Sequence, residues 1–219
     1  MDKFSRLIKG QKVAVVGPSP HLAGLGLGKK IDSYDLVCRM NEVRPVGLEE
    51  DYGSHADMLF WHLNNCDIES DFMPQYNADP ETFKKIKLLV YPRQANDVNR
   101  RGCGHSTPLQ NAARFPKVPF YQVDTNKVKA WENEYSAHFT VGALTLLMIL
   151  ECDFDELFIC GFSFFKNGGP YWHKAHATRP NSLKYPGHDI PKEIRCLRNK
   201  FRDQKNVDGD YMFKEVILG

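Results

Sequence analysis

Six short apolar segments, each closed by a polar, glycine or proline residue, most constrain what this chain can fold into. They occupy residues 12–17, 34–41, 56–62, 86–92, 118–124 and 156–164. Nearly continuous apolar runs of this length are typical of strands that are buried on both faces, as in a parallel sheet. The pattern therefore predicts six strands.

Helical patterns separate these segments. They are predicted at residues 79–86, 107–115, 126–136, 140–152 and 190–204. Asp79 and Pro80 supply a cap and a favourable first turn, and 140–152 is apolar almost all round, as in a buried helix. Strands that alternate with helices predict an α/β fold, with a Rossmann-like, mostly parallel sheet flanked by helices. The length favours a single domain over residues 1–219.

Composition and charge exclude several classes of protein. A hydrophobic content of 42% and a charged content of 26% suit a soluble globular protein. A net charge of +2 argues against a nucleic-acid partner. No apolar run is long enough for a signal peptide or a membrane span, which leaves only peripheral membrane association open. The six cysteines show neither CxxC nor zinc spacing, so we expect free thiols and a cytoplasmic location.

Small, polar and basic residues follow the predicted strands. They are Gly17 and Ser19, Asn41, His62, Arg93, and Gly161 and Phe162. In parallel α/β sheets, ligands bind beyond the carboxyl ends of the strands. These residues are therefore expected to share one edge, and their chemistry suits an anionic ligand.

The segment VVGPSPHLAGLGLGKK, which begins at Val15, admits two interpretations. The backbone N–H groups after Gly17, together with Ser19, could hold a phosphate. Alternatively, the glycine could serve only a tight turn. The segment is not a dinucleotide fingerprint, because its later glycines come too late. It is not a P-loop either, because GKK lacks the following Ser or Thr.

Two acidic motifs are weaker candidates for chemistry. The D-x-D pattern at 153–155 could bind a metal, but it lies just before a predicted strand, at the edge opposite the candidate site. The DGD at 208–210 resembles a turn. Neither motif is therefore expected to bind a metal, and no cofactor is expected.

A long polar segment lies between the sixth strand and the last helix. Residues 165–189 include the adjacent glycines Gly168 and Gly169 and the side chains of Tyr171, Trp172, His173 and His176. Long loops in compact domains are often lids over active sites. We predict such a loop here, and the alternative is an irregular surface segment with exposed histidines.

His188 stands directly before the predicted helix 190–204. In one interpretation Asp189 caps this helix, Glu193 supports its first turn, and His188 is incidental. In the other, the helix start presents His188 as a general base, because imidazole titrates near neutrality. The two interpretations are compatible.

Four stretches, taken in order, resemble one family. Residues 13–60 resemble the long sialyl motif of the animal-type sialyltransferases, glycosyltransferase family 29, most closely at VAVVG, IDSYDLVCRMN and DYGSHAD. Residues 138–165 resemble the short motif, and YWHKAH at 171–176 resembles the third. His188 and Glu193, with four residues between them, match the very short motif.

The resemblance implies an inverting, metal-independent transfer of a sugar from a CMP-sugar, on a GT-A-like variant of the fold. It implies that His188 is the general base and that Glu193 supports its segment. His173 would contact the phosphate, with His176 as the alternative. The residues predicted to bind the donor nucleotide are Gly17, Ser19, Asn41, Thr140, Gly142, Ala143, Gly161, Phe162, Tyr171 and His173.

The chain departs from the family pattern at several positions. The long motif usually begins with a Cys that pairs with a Cys of the short motif, but here the first position is Lys12 while Cys152 remains, so this disulfide is absent. That departure fits a reducing compartment. Pro18 replaces the family's Asn, and no membrane anchor or stem is expected. The set resembles a minimal bacterial or viral member.

The expected donor is CMP-sialic acid, and a glycan or glycolipid supplies the acceptor hydroxyl, for example in polysaccharide biosynthesis. CMP-Kdo (Kdo is 3-deoxy-manno-octulosonate) is the alternative donor, because both sugars carry a carboxylate beside the anomeric carbon. A non-catalytic nucleotide-binding module is a second alternative. A methyltransferase is a third, although it would need an acidic residue where Asn41 stands.

Overall fold

The computed structural model describes residues 1–41, 46–63, 73–93, 107–115, 117–166 and 188–219. A parallel sheet runs through the described residues. Its strands are β1 (Lys12–Val16), β2 (Leu36–Met40), β3 (Met58–Phe60), β4 (Leu88–Tyr91), β5 (Phe120–Gln122), β6 (Glu156–Cys160) and β7 (Val207–Gly209). They form one seven-stranded sheet in the order β5-β4-β3-β2-β1-β6-β7, and each described pair is parallel.

The six predicted strands are confirmed, but the sheet has a seventh that the sequence pattern did not indicate. The interpretation of residues 208–210 as a turn is wrong, because Asp208 and Gly209 belong to β7 and pair with Phe158 and Ile159 of β6. This edge strand is only three residues long and is half-buried over Val207 and Asp208. It therefore lacks the apolar run that marks the interior strands.

Helices flank the sheet, and the five predicted helices are confirmed as α5 to α9. The helices are α1 (Lys3–Ile8), α2 (Gly28–Asp32), α3 (Glu49–Tyr52), α4 (Met73–Ala78), α5 (Pro80–Lys84), α6 (Pro108–Ala112), α7 (Thr125–Tyr135), α8 (Val141–Leu150), α9 (Ile190–Phe201) and α10 (Tyr211–Phe213). A short 3₁₀ helix covers Pro20–Leu22, and a π-helical turn covers Lys214–Leu218.

Apolar side chains cover both faces of the sheet. In β1, Val13 and Val15 belong to the largest hydrophobic cluster, whereas Ala14 and Val16 belong to a separate cluster. Helix α8 packs into the largest cluster and is buried along almost its whole length, as its apolar pattern predicts. Burial on both faces explains why the strands read as continuous apolar runs.

The cysteines in the described ranges are free thiols, namely Cys38, Cys152, Cys160 and Cys196. Cys38 and Cys160 are buried, as expected, whereas Cys152 is only half-buried after the end of α8. Among the helices that the structure describes, none is long and apolar enough to cross a membrane.

Candidate active site

The carboxyl ends of the central strands meet at one edge of the sheet, which we call the carboxyl edge. The Gly17 N–H donates to the Cys160 carbonyl at 2.8 Å, and the Ser19 N–H donates to the Gly161 carbonyl at 3.1 Å. A Cβ added at Gly17 would lie 2.2 Å from the Gly161 oxygen, and one at Gly161 would lie 2.2 Å from the Gly17 oxygen. The ends of β1 and β6 can meet only because both residues are glycine, so the tight-turn interpretation holds for Gly17.

Ser19 belongs to a buried hydrogen-bonded group at this edge. Its Oγ lies 2.9 Å from Nδ1 of His21, and Nε2 of His21 lies 2.8 Å from Oδ2 of Asp210, the residue after β7. Asp210 also accepts the N–H groups of Gly161 and Phe213, each at 2.8 Å. We call Ser19, His21, Gly161 and Asp210 the Ser19 cluster. It ties the ends of β1, β6 and β7 together.

The Ser19 cluster was only partly visible in the sequence. Ser19 and Gly161 follow predicted strands, but Asp210 was assigned to a turn because β7 was not recognised. His21 carried no signal of its own, since its partners lie at the far end of the chain.

Phe162 connects the Ser19 cluster with the start of α8. A Cβ added at Gly142 would lie 3.1 Å from Phe162 Cε1, and one at Gly17 would lie 3.2 Å from Phe162 Cδ2. Gly142 therefore allows the phenyl ring to pack closely on the first turn of α8. The structure thus brings together Gly17, Gly161 and Phe162, as the sequence predicts for one edge, and it adds Gly142, which the resemblance implies for the nucleotide site.

Asn41 follows β2 with a left-handed backbone, at φ 59°. Asparagine tolerates this conformation better than most residues. Its N–H donates to the Phe60 carbonyl at 2.9 Å, and its carbonyl accepts from Gln75 Nε2 at 3.4 Å. The backbone of Asn41 is therefore fixed at the carboxyl edge by its neighbours.

Thr140 caps α8 and joins it to α9. Its Oγ1 accepts the Ala143 N–H at 3.1 Å, and the same hydroxyl donates to Glu193 Oε2 at 2.8 Å. The Thr140 N–H donates to Glu193 Oε1 at 2.8 Å. Thr140 and Glu193 lie 53 positions apart in the sequence, and hydrogen bonds from Thr140 reach both carboxyl oxygens of Glu193.

Glu193 is 4% exposed, and this burial governs its protonation. Burial raises the pKa of Glu193 to about 8, and the hydrogen bonds from Thr140 offset the effect only in part. The carboxyl group of Glu193 is therefore largely protonated at neutral pH.

His188 precedes α9, as predicted, and its ring is oriented by a backbone carbonyl. Its Nδ1 donates to the His138 carbonyl at 3.0 Å and lies 3.9 Å from Glu193 Oε1. Because a carbonyl can only accept, Nδ1 carries the hydrogen and the neutral ring has its basic lone pair on Nε2. Asp189 caps α9 by accepting the Lys192 N–H at 3.2 Å, and the hydrogen bonds from Lys192 lower the pKa of Asp189.

A second histidine, His138, lies against His188, although the sequence predicted no role for it. The rings of His138 and His188 are stacked at 5.3 Å between centroids, with 5° between their planes. Arg93 Nη1 lies 2.7 Å from Nε2 of His138, and Glu132 Oε1 lies 2.7 Å from its Nδ1. We call Arg93, Glu132, His138, His188 and Glu193 the His188 cluster.

Two members of the His188 cluster had partial sequence signals. Arg93 was recognised as a residue that follows a strand, and His138 opens the short motif. Glu132 lies within α7 and had no signal, because its contact with His138 depends on how α7 packs.

Several predicted features lie elsewhere or outside the described residues. Tyr171, His173 and His176 lie outside them, together with most of the predicted loop 165–189, namely residues 167–187. The D-x-D at 153–155 precedes β6, at the opposite edge from the candidate site. In the ranges that the structure describes, no group of three His, Cys, Asp or Glu side chains could hold a metal ion.

Comparisons with known proteins agree with these motifs. Residues 8–100 match the model of glycosyltransferase family 29 (sialyltransferase). The mouse CMP-N-acetylneuraminate-beta-galactosamide-alpha-2,3-sialyltransferase 2 is 26% identical over 179 residues, which cover 74% of this chain and 45% of the mouse protein. The type 2 lactosamine alpha-2,3-sialyltransferase of Pongo abelii is 26% identical over 220 residues, which cover 90% of this chain and 64% of the relative. The chain spans about half the length of the mouse relative.

Solved structures share the fold. A mammalian sialyltransferase superposes with a TM-score of 0.54 at 20% identity, over 94% of this chain and 70% of the other. The sialyltransferase CstII of Campylobacter jejuni superposes with a TM-score of 0.56 at 16% identity, over 94% of this chain and 85% of the other. The fold is therefore the Rossmann-like, GT-A-like arrangement of these proteins. The family-model match over residues 8–100, the curated relatives and the ordered motifs all make this chain similar to the animal-type sialyltransferase family.

Proposed function

We propose that this protein transfers sialic acid from CMP-sialic acid to a hydroxyl group of a glycan. Similarity to glycosyltransferase family 29 supports the reaction class. The name of the mouse relative gives CMP-N-acetylneuraminate and a beta-galactosamide, and the name of the Pongo abelii relative gives type 2 lactosamine. The observation that carries the proposal is the orientation of His188. Its Nδ1 is held by the His138 carbonyl at 3.0 Å, so its Nε2 is the basic atom at the carboxyl edge.

In this proposal His188 is the general base. The acceptor hydroxyl attacks the anomeric carbon of the donor while its proton passes to Nε2 of His188, and CMP leaves with the electron pair of the broken bond. One attack on the face opposite the leaving group inverts the configuration. Glu193 does not touch the reacting atoms in this scheme. Its hydrogen bonds to Thr140 hold the start of α9 against the start of α8.

The leaving CMP develops negative charge on its phosphate, and this charge needs hydrogen-bond donors. We propose that the N–H groups of Val141 and Gly142 at the first turn of α8, with Asn41, supply them without a metal ion. The N-terminus of this ten-residue helix favours an anion. Turnover is therefore expected to be unchanged by EDTA. A loss of turnover that added Mg²⁺ or Mn²⁺ restores would contradict the metal-independent proposal.

The His188→Ala variant tests the proposal directly. We expect a decrease in kcat of about 10²-fold to 10⁴-fold, the usual contribution of a general base. The measurement is CMP release from CMP-sialic acid in the presence of an acceptor. His55→Ala is the matched control, since His55 lies before β3 and contacts Asp32 and Asp57, away from the carboxyl edge. Unchanged turnover in the His188→Ala variant would overturn the assignment.

A donor and acceptor screen tests the substrate class. We expect transfer from CMP-sialic acid to lactosamine or to Gal-β1,3-GalNAc, and no shift of the melting temperature with UDP or S-adenosylmethionine. Preferred use of CMP-Kdo would replace sialic acid by Kdo in the proposal. Binding of CMP without hydrolysis or transfer from either donor would favour a nucleotide-binding module.

A further inference from the structure

The residue His138 holds His188 in two independent ways. Its carbonyl accepts the Nδ1–H of His188 at 3.0 Å, and its ring lies parallel to the ring of His188, with 5.3 Å between the centroids. A hydrogen bond fixes one atom of the His188 ring, whereas a parallel ring face restricts rotation about χ2. Together they determine where Nε2 of His188 points.

The ring of His138 is itself held by two charged side chains. Arg93 Nη1 lies 2.7 Å from Nε2, and Glu132 Oε1 lies 2.7 Å from Nδ1. Arginine has donors but no acceptor and stays charged in proteins, so Nε2 of His138 must present its lone pair to Arg93. The remaining proton of the ring then lies on Nδ1, which is close to Glu132 Oε1 but is not aligned with it as a hydrogen bond. These contacts define one tautomer, the neutral Nδ1–H form.

A neutral ring is what the neighbouring base requires. If His138 were an imidazolium, it would disfavour a second positive charge on His188, because like charges at this distance oppose protonation. Arg93 already donates to the lone pair of His138 Nε2, which is where a second proton would have to bind. The charges of Arg93 and Glu132 also cancel each other next to the stacked pair.

We propose that His138 is a positioning residue for His188, and that Arg93 keeps it in the neutral tautomer that this role requires. The proposal rests on the proposed function, because it assigns His138 a role in aiming the general base at the acceptor hydroxyl. It places the base of this protein in a wider unit that spans the ends of α7 and β4 and the starts of α8 and α9.

Two variants separate the ring of His138 from its other contacts. His138→Phe and His138→Ala both lose the contacts with Arg93 and Glu132 and both retain the backbone carbonyl, but only Phe retains a flat ring against His188. We expect kcat to fall by about 10-fold to 100-fold in the Ala variant, the scale expected for a reacting group displaced by about 1 Å. We expect kcat of the Phe variant to remain within severalfold of the wild type, with little change in the KM for CMP-sialic acid in either.

Each kinetic outcome decides the proposal. Equal losses in the Ala and Phe variants would show that the ring face has no positioning role. Wild-type kcat in the Ala variant, or an effect confined to KM, would overturn it as well. Failure of the proposed function is distinguishable, because the wild-type protein would then release no CMP in the same assay.

The tautomer can be tested without turnover. Long-range ¹H–¹⁵N spectra of the histidine rings distinguish the Nδ1–H form, the Nε2–H form and the imidazolium, and the His138→Phe spectrum assigns the signals of His138. We expect the Nδ1–H form of His138 at pH 7 in the wild-type protein. An imidazolium or an Nε2–H tautomer at pH 7 would overturn the role given to Arg93.

Discussion

The two clusters at the carboxyl edge hold a histidine ring in different ways. In the Ser19 cluster, His21 lies between a hydroxyl group and Asp210, whose carboxylate also accepts two backbone N–H groups. In the His188 cluster, Glu193 accepts the N–H and the hydroxyl of Thr140, and burial raises its pKa to about 8. The first cluster joins strand ends through a carboxylate with many donors. The second joins two helix starts through a carboxyl group that titrates near neutrality.

Removal of Asp210 should have the largest effect on stability. The Asp210→Ala change leaves the N–H groups of Gly161 and Phe213 and the ring of His21 buried without their acceptor. We expect a loss of about 3–5 kcal/mol in the free energy of unfolding, the cost of breaking a buried, hydrogen-bonded charge. Urea denaturation measures it.

The neighbouring Asp208 provides the control for this prediction. Its side chain is 42% exposed and pairs with Lys30 and Lys214 at the surface. Asp208→Ala should therefore cost about 1 kcal/mol or less. Equal free energies of unfolding for the two variants would show that Asp210 does not hold the ends of β1, β6 and β7 together.

Titration of Glu193 should make the protein less stable as pH rises, whereas an ordinary salt-bridged acid makes a protein more stable as pH rises. The ordinary pKa of a glutamic acid side chain is 4.5 and burial raises the pKa of Glu193 to about 8, so between these limits the folded chain holds a proton that the unfolded chain releases. The free energy of unfolding should therefore fall as pH rises from 5 to 8, by an amount on the order of 2–4 kcal/mol.

The Glu193→Gln variant isolates this contribution. Glutamine has nearly the same shape and cannot titrate, so the difference in stability between the wild type and the variant should change steadily from pH 5 to pH 8. Urea titrations at each pH measure the difference, in which the other titrating groups cancel. Parallel stability curves for the two proteins would show that Glu193 does not titrate in this range.

Thr140→Val should have the smallest of these effects. The change removes the cap of α8 and the hydroxyl bond to Glu193, but it retains the N–H bond to Glu193. We expect a loss of about 1–2 kcal/mol, typical of a lost helix cap. Thr145→Val is the matched control, because the Thr145 hydroxyl only donates to the Val141 carbonyl within α8. Equal thermal stability of the two variants would contradict the joining role of Thr140.

Sequence patterns predicted the strands and helices that carry strong periodicity. The interior strands β1 to β6 and the helices α5 to α9 were recognised because burial on both faces produces apolar runs and because amphipathic helices repeat every three to four residues. The edge strand β7 was missed, since a strand of three residues with an exposed side needs no apolar run. Because β7 was not recognised, the position of Asp210 at the end of this strand was not recognised either.

The candidate site was predictable where residues follow strands or begin helices. Ser19 follows a predicted strand and His188 precedes a predicted helix, whereas Thr140 and Glu193 were proposed from the resemblance to the family. Partners such as His21 and Glu132 were not, because each meets its neighbour only after distant elements have packed. A local pattern contains no information on contacts of this kind.

The position of β1 in the sheet has a consequence for biosynthesis. β1 pairs with β2 on one side, but its other neighbour is β6, with Val13 opposite Leu157. A nascent chain can therefore form the β1–β2 pair early, while the second edge of β1 waits until β6 has left the ribosome. An unpaired interior edge is a template for aggregation. Because Gly17 contacts Gly161 at the carboxyl edge, this edge cannot close before the chain has been synthesised as far as Gly161.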